Sequence, residues 1–238
     1  MRQPWPSPLF SFLVLTVFLA GPPARSQSLD IPEAISVHPA TPSDDRILGV
    51  IPNYQTVSDP SKVVKPLTVR EKWKLAVRES VDPYSIVSAG LGAAMSQAGN
   101  DTPKYGNGFA SYMQRFGAAN ADLATQSLFS DGLLAWLFHE DPRYFRKGPG
   151  SPVFARVWYS MTRLVVTRRD SGRPSFNFSG VLGMGMGIAL SNAYYPSPSV
   201  NGSVVGSRFV TSLTGASLGN LLPEFWPDFK QKFFKHKH

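Results

Sequence analysis

SGVLGMGMGIALSNA (residues 179–193) is the stretch that decides the fold. It is mostly apolar, and it places Gly183 and Gly187 four residues apart, on one face of a helix. Each glycine costs a helix about 1 kcal/mol relative to alanine, so close packing has to compensate. A helix face without side chains allows a second backbone to approach. The stretch therefore predicts a helix that packs tightly against another helix.

The same small-residue spacing recurs at Gly215 with Gly219 and at Gly90 with Ala94. Such spacing is common in membrane helices. Beyond residue 26, however, no run reaches the roughly 18 uninterrupted apolar residues of a bilayer span. We expect an all-α fold, a multi-helix bundle with Gly/Ala-rich close-packed helices, either soluble or membrane-associated. Shallow insertion and an oligomeric membrane assembly stay open as alternatives.

Helix-start signals divide the chain into segments. Thr68 and Glu71 form a capping box ahead of REKWKLAVRES, and Asp82-Pro83 suits the start of the next helix. No strand is required, because the β-prone RLVVT continues a helical face. Further helices are expected over residues 108–138, through VFARVWYSMTRLVVT after Ser151-Pro152, over residues 203–222, and in a short tail helix capped by Asp228.

A weak internal repeat relates the two halves. AGLGAAMSQA (residues 89–98) aligns without a gap on MGMGIALSNA (residues 184–193), and QRFGAA faces SRFVTS about 20 residues further on in each half. Each half also ends in an acid-Pro-aromatic segment, HEDPRYF or PEFWPDF. The pattern suggests a duplicated helical hairpin.

The first 26 residues have the pattern of a secretory signal peptide. Arg2 precedes an apolar run of 12 residues (9–20), and Ala24-Arg25-Ser26 forms a small-x-small cleavage site. An uncleaved anchor is the alternative. The absence of Cys excludes disulfides, thiolate catalysis and Cys-based metal sites. Together these features favour export to a bacterial periplasm or outer envelope.

The remaining chain divides into a Pro-rich extended arm (residues 27–66), a helical domain (67–229) and a basic tail (230–238). Within the arm, RILGVIPNY is expected to dock on the domain as a strand or extended clip. Residues 27–145 carry a net charge of −3, with 10 Lys or Arg and 13 Asp or Glu. Residues 146–238 carry +9, with 12 and 3. The basic half suits an anionic membrane surface or envelope protein, and export argues against nucleic acid.

LFHEDPRYFRK (residues 137–147, here the corner) is the first polar cluster. His139, Glu140 and Asp141 are weak candidates for general acid–base catalysis. They follow one another directly, so they cannot all converge on one atom while a helix continues. The alternative is a helix-ending corner, in which Arg143 and Arg146 pair with Glu140, Asp141 or Asp131. We expect no metal and no cofactor, because the sequence lacks HExxH, GxSxG, SxxK and P-loop motifs.

TRRDSGRPSFN (residues 167–177, here the arginine loop) is the second polar cluster. Its Arg168, Arg169 and Arg173 are candidate ligands for an anion, together with Arg143 and Arg146 of the corner. A solvated basic loop is the alternative.

At RILGVIPNY, HEDPRYFR, DSGRPSFNFS and LSNAYYP the chain resembles a group of exported bacterial proteins of unknown function, of the kind frequent in acidobacteria. The resemblance covers about residues 46–229 and implies export and a bacterial envelope. It implies no catalytic residue.

From these features we expect a non-enzymatic envelope protein, a structural or interaction module that rests against a membrane or partner. Self-association through the small-residue helix faces is a further expectation. The alternative is an enzyme or lipid-binding protein that acts on an anionic ligand through the His139 corner and the arginine loop.

Overall fold

The structure is a computed structural model that describes residues 46–47, 49–59 and 64–234, except for the side chains of residues 233 and 234. The predicted signal peptide, the arm up to residue 45 and the last four residues of the basic tail lie outside the described residues. The prediction of a largely helical chain is confirmed. Several short strands, which the sequence did not require, accompany the helices.

Capping side chains start the helices where the sequence predicted them. Thr68 and Glu71 form the capping box, and Asp82 accepts a hydrogen bond from the backbone of Tyr84. Gly108, with a φ of 101°, starts the longest helix. The helices are α1 (Val69–Ser80), α2 (Pro83–Ala98), α3 (Phe109–Ser127), α4 (Val153–Thr162), α5 (Phe178–Ser191), α6 (Gly202–Gly219) and α7 (Leu221–Phe234).

Helix α3 continues into a π-helical turn, Leu128–Leu134, which we call the wide turn, and ends with Ala135–Leu137. Gly132 of the wide turn lies against the indole of Trp73 on α1, where a Cβ would come within 2.9 Å of the ring. Such wide turns in helices often occur at functional sites.

The glycine face of α5 packs against α3 and the wide turn. A Cβ on Gly183 would lie 2.7 Å from the Cα of Ser130, and one on Gly187 would lie 3.5 Å from the Cα of Gln126. The predicted close approach of two helix backbones is therefore found here. Gly215 and Gly219 of α6 differ, because nothing lies within 4 Å of a Cβ built on either residue.

The strands are two to four residues long and hold the connecting segments together. They are β1 (Arg46–Ile47), β2 (Ile51–Pro52), β3 (Thr56–Val57), β4 (Glu140–Asp141), β5 (Tyr144–Phe145), β6 (Val166–Arg169) and β7 (Pro174–Phe176). β1 pairs with β2 antiparallel, β3 with β5 parallel, and β6 lies between β4 and β7 in an antiparallel sheet.

The predicted docking of RILGVIPNY is confirmed in part. Ile47 is buried, and Arg46 forms an ion pair of 2.7 Å with Asp82 at the start of α2. Val50, by contrast, is exposed at the turn between β1 and β2.

Two helix predictions were wrong. The segment VFARVWYSMTRLVVT is helical only to Thr162, and its β-branched end forms β6 because β4 and β7 supply hydrogen-bonding partners on both sides. Asp228 does not cap a tail helix. It lies inside α7, which begins at Leu221 and contains Pro227.

The interior is polar and the surface is rich in large apolar side chains. Among the described residues, nine apolar side chains are buried, five of them alanine, against 14 polar or charged ones. At the same time, 27 large apolar side chains are exposed. This distribution reverses the usual arrangement of a soluble domain. None of the described helices is long and apolar enough to cross a membrane.

Candidate functional site

The pairing of β4 with β6 brings the two polar clusters of the sequence together. Glu140 lies opposite Arg169, and Asp141 lies opposite Arg168. A cavity of about 330 Å³ is located beside this pairing. It is lined by the end of α1, the wide turn, residues 142–145, the link from α4 to β6, the start of α5 and the end of α6. This cavity is the candidate site.

His139 and Glu140 occupy structural positions. His139 is exposed and ends the helix with a φ of 54°, in the left-handed region. Glu140 is buried, and its carboxylate accepts hydrogen bonds from the backbone N–H groups of Phe178 and Ser179 at 3.2 and 2.9 Å. A carboxylate is favourable at the N-terminus of a helix, so Glu140 stabilises the start of α5.

Asp141 and Arg143 neutralise each other, one of the pairings expected from the sequence. Asp141 Oδ1 accepts from the backbone N–H and Nε of Arg143 at 3.1 and 2.9 Å, and Oδ2 accepts from Nη2 at 2.6 Å. Arg143 Nη2 also donates to the carbonyl of Lys65. Arg143 lines the cavity, but its charge is already paired.

Arg146 pairs with α7 rather than with the corner. Its Nε donates to the carbonyl of Glu224 at 2.7 Å, and its Nη2 donates to Asp228. Arg156 joins the same network, with Nε 2.8 Å from Glu224 Oε1 and Nη2 2.6 Å from Asp228 Oδ2. The fully buried Glu224 carboxylate also accepts from the Tyr144 hydroxyl and from two backbone N–H groups of the corner and the loop that follows it. This network joins the corner to α4 and α7.

Two carboxyl groups, Glu79 of α1 and Asp131 of the wide turn, form an acid pair at the cavity wall. Gln55 Nε2 donates to Glu79 Oε2 at 2.9 Å and to Asp131 Oδ2 at 3.2 Å. Burial, with the adjacent Glu79 carboxylate, raises the pKa of Asp131 well above 3.8. The raised pKa favours the protonated form of Asp131, which can donate a hydrogen bond at the cavity wall.

Sequence reasoning missed the acid pair. It considered Asp131 only as a partner for the arginines of the corner, whereas its partners are Gln55 and Glu79. Glu79 lies 24 positions after Gln55 in the chain, and Asp131 lies 76 positions after it. No local sequence pattern therefore indicates that the three residues meet.

Two arginines extend along the cavity wall, each over an aromatic ring. The Cζ atom of Arg168 lies 4.5 Å from the ring centroid of Phe145, and that of Arg163 lies 4.4 Å from the centroid of Tyr159. Arg163 was read from the sequence as a helix residue only, although an arginine just before a β-prone run is a signal for the end of a helix.

The other two arginines of the arginine loop do not line the cavity. Arg169, the neighbour of Arg168 on β6, donates from Nε to the Ser175 hydroxyl at 3.3 Å. Arg173 is exposed at the turn of the hairpin. Alternation along the strand therefore separates Arg168 from its neighbour.

A second cavity of about 510 Å³ lies between α3 and α6. On its wall, Asp122 accepts hydrogen bonds of 2.5 Å from the hydroxyls of Tyr194 and Tyr195. Arg208 lies over the Tyr195 ring, with Nη2 3.8 Å from Asp122. Burial raises the pKa of Asp122. These contacts link α3 to the loop after α5, and among the described residues Arg208 Nη1 is buried without a hydrogen-bond partner.

Across the part of the chain that the structure describes, no group of three or more His, Asp or Glu side chains could hold a metal ion. Comparison with known proteins gives no matching family model, curated protein or solved structure.

Proposed function

We propose that this chain is an exported envelope protein that acts as a structural or interaction module rather than as an enzyme. It rests on an anionic membrane surface through exposed apolar faces of its helices. The observation that carries this proposal is the reversed distribution of polar and apolar side chains.

Helix α4 gives the clearest case. Its buried residues are Arg156 and Ser160, whereas Phe154 and Trp158 are 80% and 64% exposed. The two aromatic residues are four positions apart, so they share the outer face of the helix. Trp and Phe on one face of a surface helix suit the boundary between lipid headgroups and acyl chains.

Helix α2 repeats this arrangement with smaller interior residues. It buries Ala89 and Ala93, while Leu91 and Met95 are 63% and 75% exposed. Exposed apolar surface of this extent usually marks a contact with a membrane or a partner.

Charge favours a membrane as the occupant of these faces. Residues 146–238, which include α4, carry a net charge of +9. Each Lys or Arg near an anionic surface contributes about 1 kcal/mol to binding. Contact of this kind needs no membrane-spanning helix. The resemblance to exported bacterial proteins supports the same location, a periplasm or outer envelope.

The scaffold in this proposal is a helical bundle built from two related hairpins, α2 with α3 and α5 with α6. The packing of Gly183 against the wide turn and of Gly187 against α3 supports this arrangement, because it joins the two hairpins closely.

Flotation with lipid vesicles tests the proposal. We expect the protein to float with phosphatidylglycerol vesicles and less with phosphatidylcholine vesicles. The double variant Phe154→Ser/Trp158→Ser should remain in the soluble fraction. Val50→Ser/Val69→Ser removes two exposed apolar side chains from other surfaces and serves as the matched control.

Equal flotation of the wild type and the α4 double variant would contradict the role of α4. The wild type could instead stay in the soluble fraction and elute as a dimer that the α4 substitutions dissociate. That result would show that α4 contacts a second copy of the chain and not a membrane.

A further inference from the structure

We propose that the 330 Å³ cavity binds a phosphate ester of a small polyol, with Arg163 and Arg168 holding the phosphate. This inference does not depend on membrane contact, because it concerns the cavity wall rather than the outer face of α4.

The first argument is that both guanidinium groups are held in place before any ligand binds. Each lies over an aromatic ring, Arg163 over Tyr159 and Arg168 over Phe145. Stacking leaves the edges of a guanidinium free to donate hydrogen bonds while it restricts rotation of the side chain. Less conformational entropy is then lost on binding an anion.

The second argument is that these two charges are uncompensated. Among the described residues, no carboxylate lies within ion-pair distance of Arg163 or Arg168. The Nε of Arg163 is buried and has no hydrogen-bond partner in the described part of the chain. A buried donor without a partner is rare in native proteins.

Three buried cations of the structure have carboxylate partners. Lys72 lies 2.7 Å from Asp170, and Arg146 and Arg156 pair with α7.

Arg143, the third arginine of the cavity wall, pairs with Asp141. The buried Arg115 has no carboxylate but donates to Ser96 and to two backbone carbonyls. Arg163 and Arg168 have neither kind of partner among the described residues. A tetrahedral phosphate, with several acceptor oxygens, suits two guanidinium forks.

The third argument concerns the acidic and amide side chains that line the same cavity. Glu79, Asp131 and Gln55 offer both donors and acceptors of hydrogen bonds. Their negative charge repels a second phosphate, but their mixed polarity suits hydroxyl groups. A volume of about 330 Å³ is within the range of small-ligand sites. The site therefore fits a molecule with one phosphate and a hydroxylated remainder, such as glycerol phosphate.

This chemistry has two sources, a soluble phosphate ester or the headgroup of phosphatidylglycerol. Calorimetric titration with glycerol 3-phosphate tests the soluble source. Glycerol and glycerate, which lack the phosphate, are the ligand controls. We expect binding of glycerol 3-phosphate alone, and a loss of affinity of about tenfold or more in Arg163→Met and Arg168→Met.

Arg169→Met is the matched control, because it removes the neighbouring charge on β6 without reaching the cavity. It should bind glycerol 3-phosphate as the wild type does. Thermal unfolding without ligand checks that each variant is folded. Where Arg168→Met does not fold, Arg168→Lys keeps the charge but loses the fork, and it should still bind more weakly.

Vesicle flotation distinguishes the second source. Binding to phosphatidylglycerol vesicles that requires Arg163 and Arg168, without binding of the soluble ester, assigns the site to the lipid headgroup. If neither probe binds, if glycerate binds as well as glycerol 3-phosphate, or if Arg169→Met weakens binding as much as Arg168→Met, the inference is wrong. Loss of flotation in Phe154→Ser/Trp158→Ser with retained glycerol 3-phosphate binding would separate this site from the membrane contact.

Discussion

Arg156 of α4 donates from Nε to Oε1 of Glu224 on α7 at 2.8 Å, and both side chains are buried. Every oxygen of the Glu224 carboxylate accepts hydrogen bonds, and the backbone carbonyl of the same residue accepts from Arg146 and Arg156. Glu224 therefore fixes the last helix to both α4 and the corner, together with Asp228 of the same helix.

Glu224→Gln should destabilise the protein strongly. The substitution leaves two buried guanidinium groups with Asp228 as their remaining carboxylate, and its amide N–H₂ faces other donors. Breaking a buried pair in this way costs about 3–5 kcal/mol. Urea unfolding measures the loss. Glu71→Gln, an exposed carboxyl of the α1 capping box, is the control and should cost about 1 kcal/mol or less. Similar losses in the two variants would refute the assigned role of Glu224.

Substitution by alanine should have opposite effects on the free energy of unfolding at Gly183 and Gly215, although both glycines occur in the same small-residue spacing. Gly183→Ala forces a methyl group against the backbone of Ser130, and overpacking of this kind costs about 1–3 kcal/mol. Gly215→Ala meets nothing within 4 Å, so it should stabilise α6 by about 0.5–1 kcal/mol. Thermal unfolding of both variants checks the signs. A loss of stability in Gly215→Ala would mean that its open face is covered in solution.

The acid pair should make stability depend on pH. Because the pKa of Asp131 is raised above 3.8, the native state holds a proton that the unfolded chain releases. Its contribution is therefore complete below the ordinary pKa and is lost as the pH rises through the raised value. Relative to Asp131→Asn, the wild type should lose unfolding free energy as the pH rises above the ordinary aspartate value of about 4.

Denaturant unfolding of both proteins across this pH range measures the difference. Asp101→Asn, at an exposed aspartate, is the control. A difference between wild type and Asp131→Asn that is constant with pH would show that Asp131 does not titrate in the native state.

Substitutions at Glu140 and His139, two adjacent residues of the corner, should change the stability of the protein in opposite directions. Glu140→Ala removes the acceptor of two backbone N–H groups at the start of α5, at a cost of about 1–3 kcal/mol. His139→Gly relieves a left-handed backbone conformation and should stabilise by about 1 kcal/mol. Melting temperatures report both effects. If Glu140→Ala melts as the wild type does, its carboxylate is not a structural cap.

Local signals in the sequence predicted the starts of α1 and α2 well. Each start depends on residues within one turn of each other, Thr68 with Glu71 in α1 and Asp82 with Pro83 in α2. A short stretch of sequence is therefore enough to predict it. RLVVT is different, because its β-branched residues tolerate either structure and the choice is made by β4, a strand more than 20 residues away.

The candidate site was only half visible in the sequence. The corner and the arginine loop were recognised because each concentrates charge in a short run. Because these charges are close in sequence, we expected Arg146 to pair with an acidic residue of the same region. It pairs instead with Asp228, 82 positions away. Gln55, Glu79 and Asp131 meet only in the folded chain, and nothing in their local sequences distinguishes them from ordinary surface residues.

The long separation between Arg146 and Asp228 also constrains when the protein can fold. During synthesis, both Arg146 and Arg156 emerge long before their acidic partners on α7. Those partners lie 68 to 82 positions further along the chain. These cations thus remain without their carboxylates until α7 has been synthesised, so the corner and α4 cannot complete their packing before it.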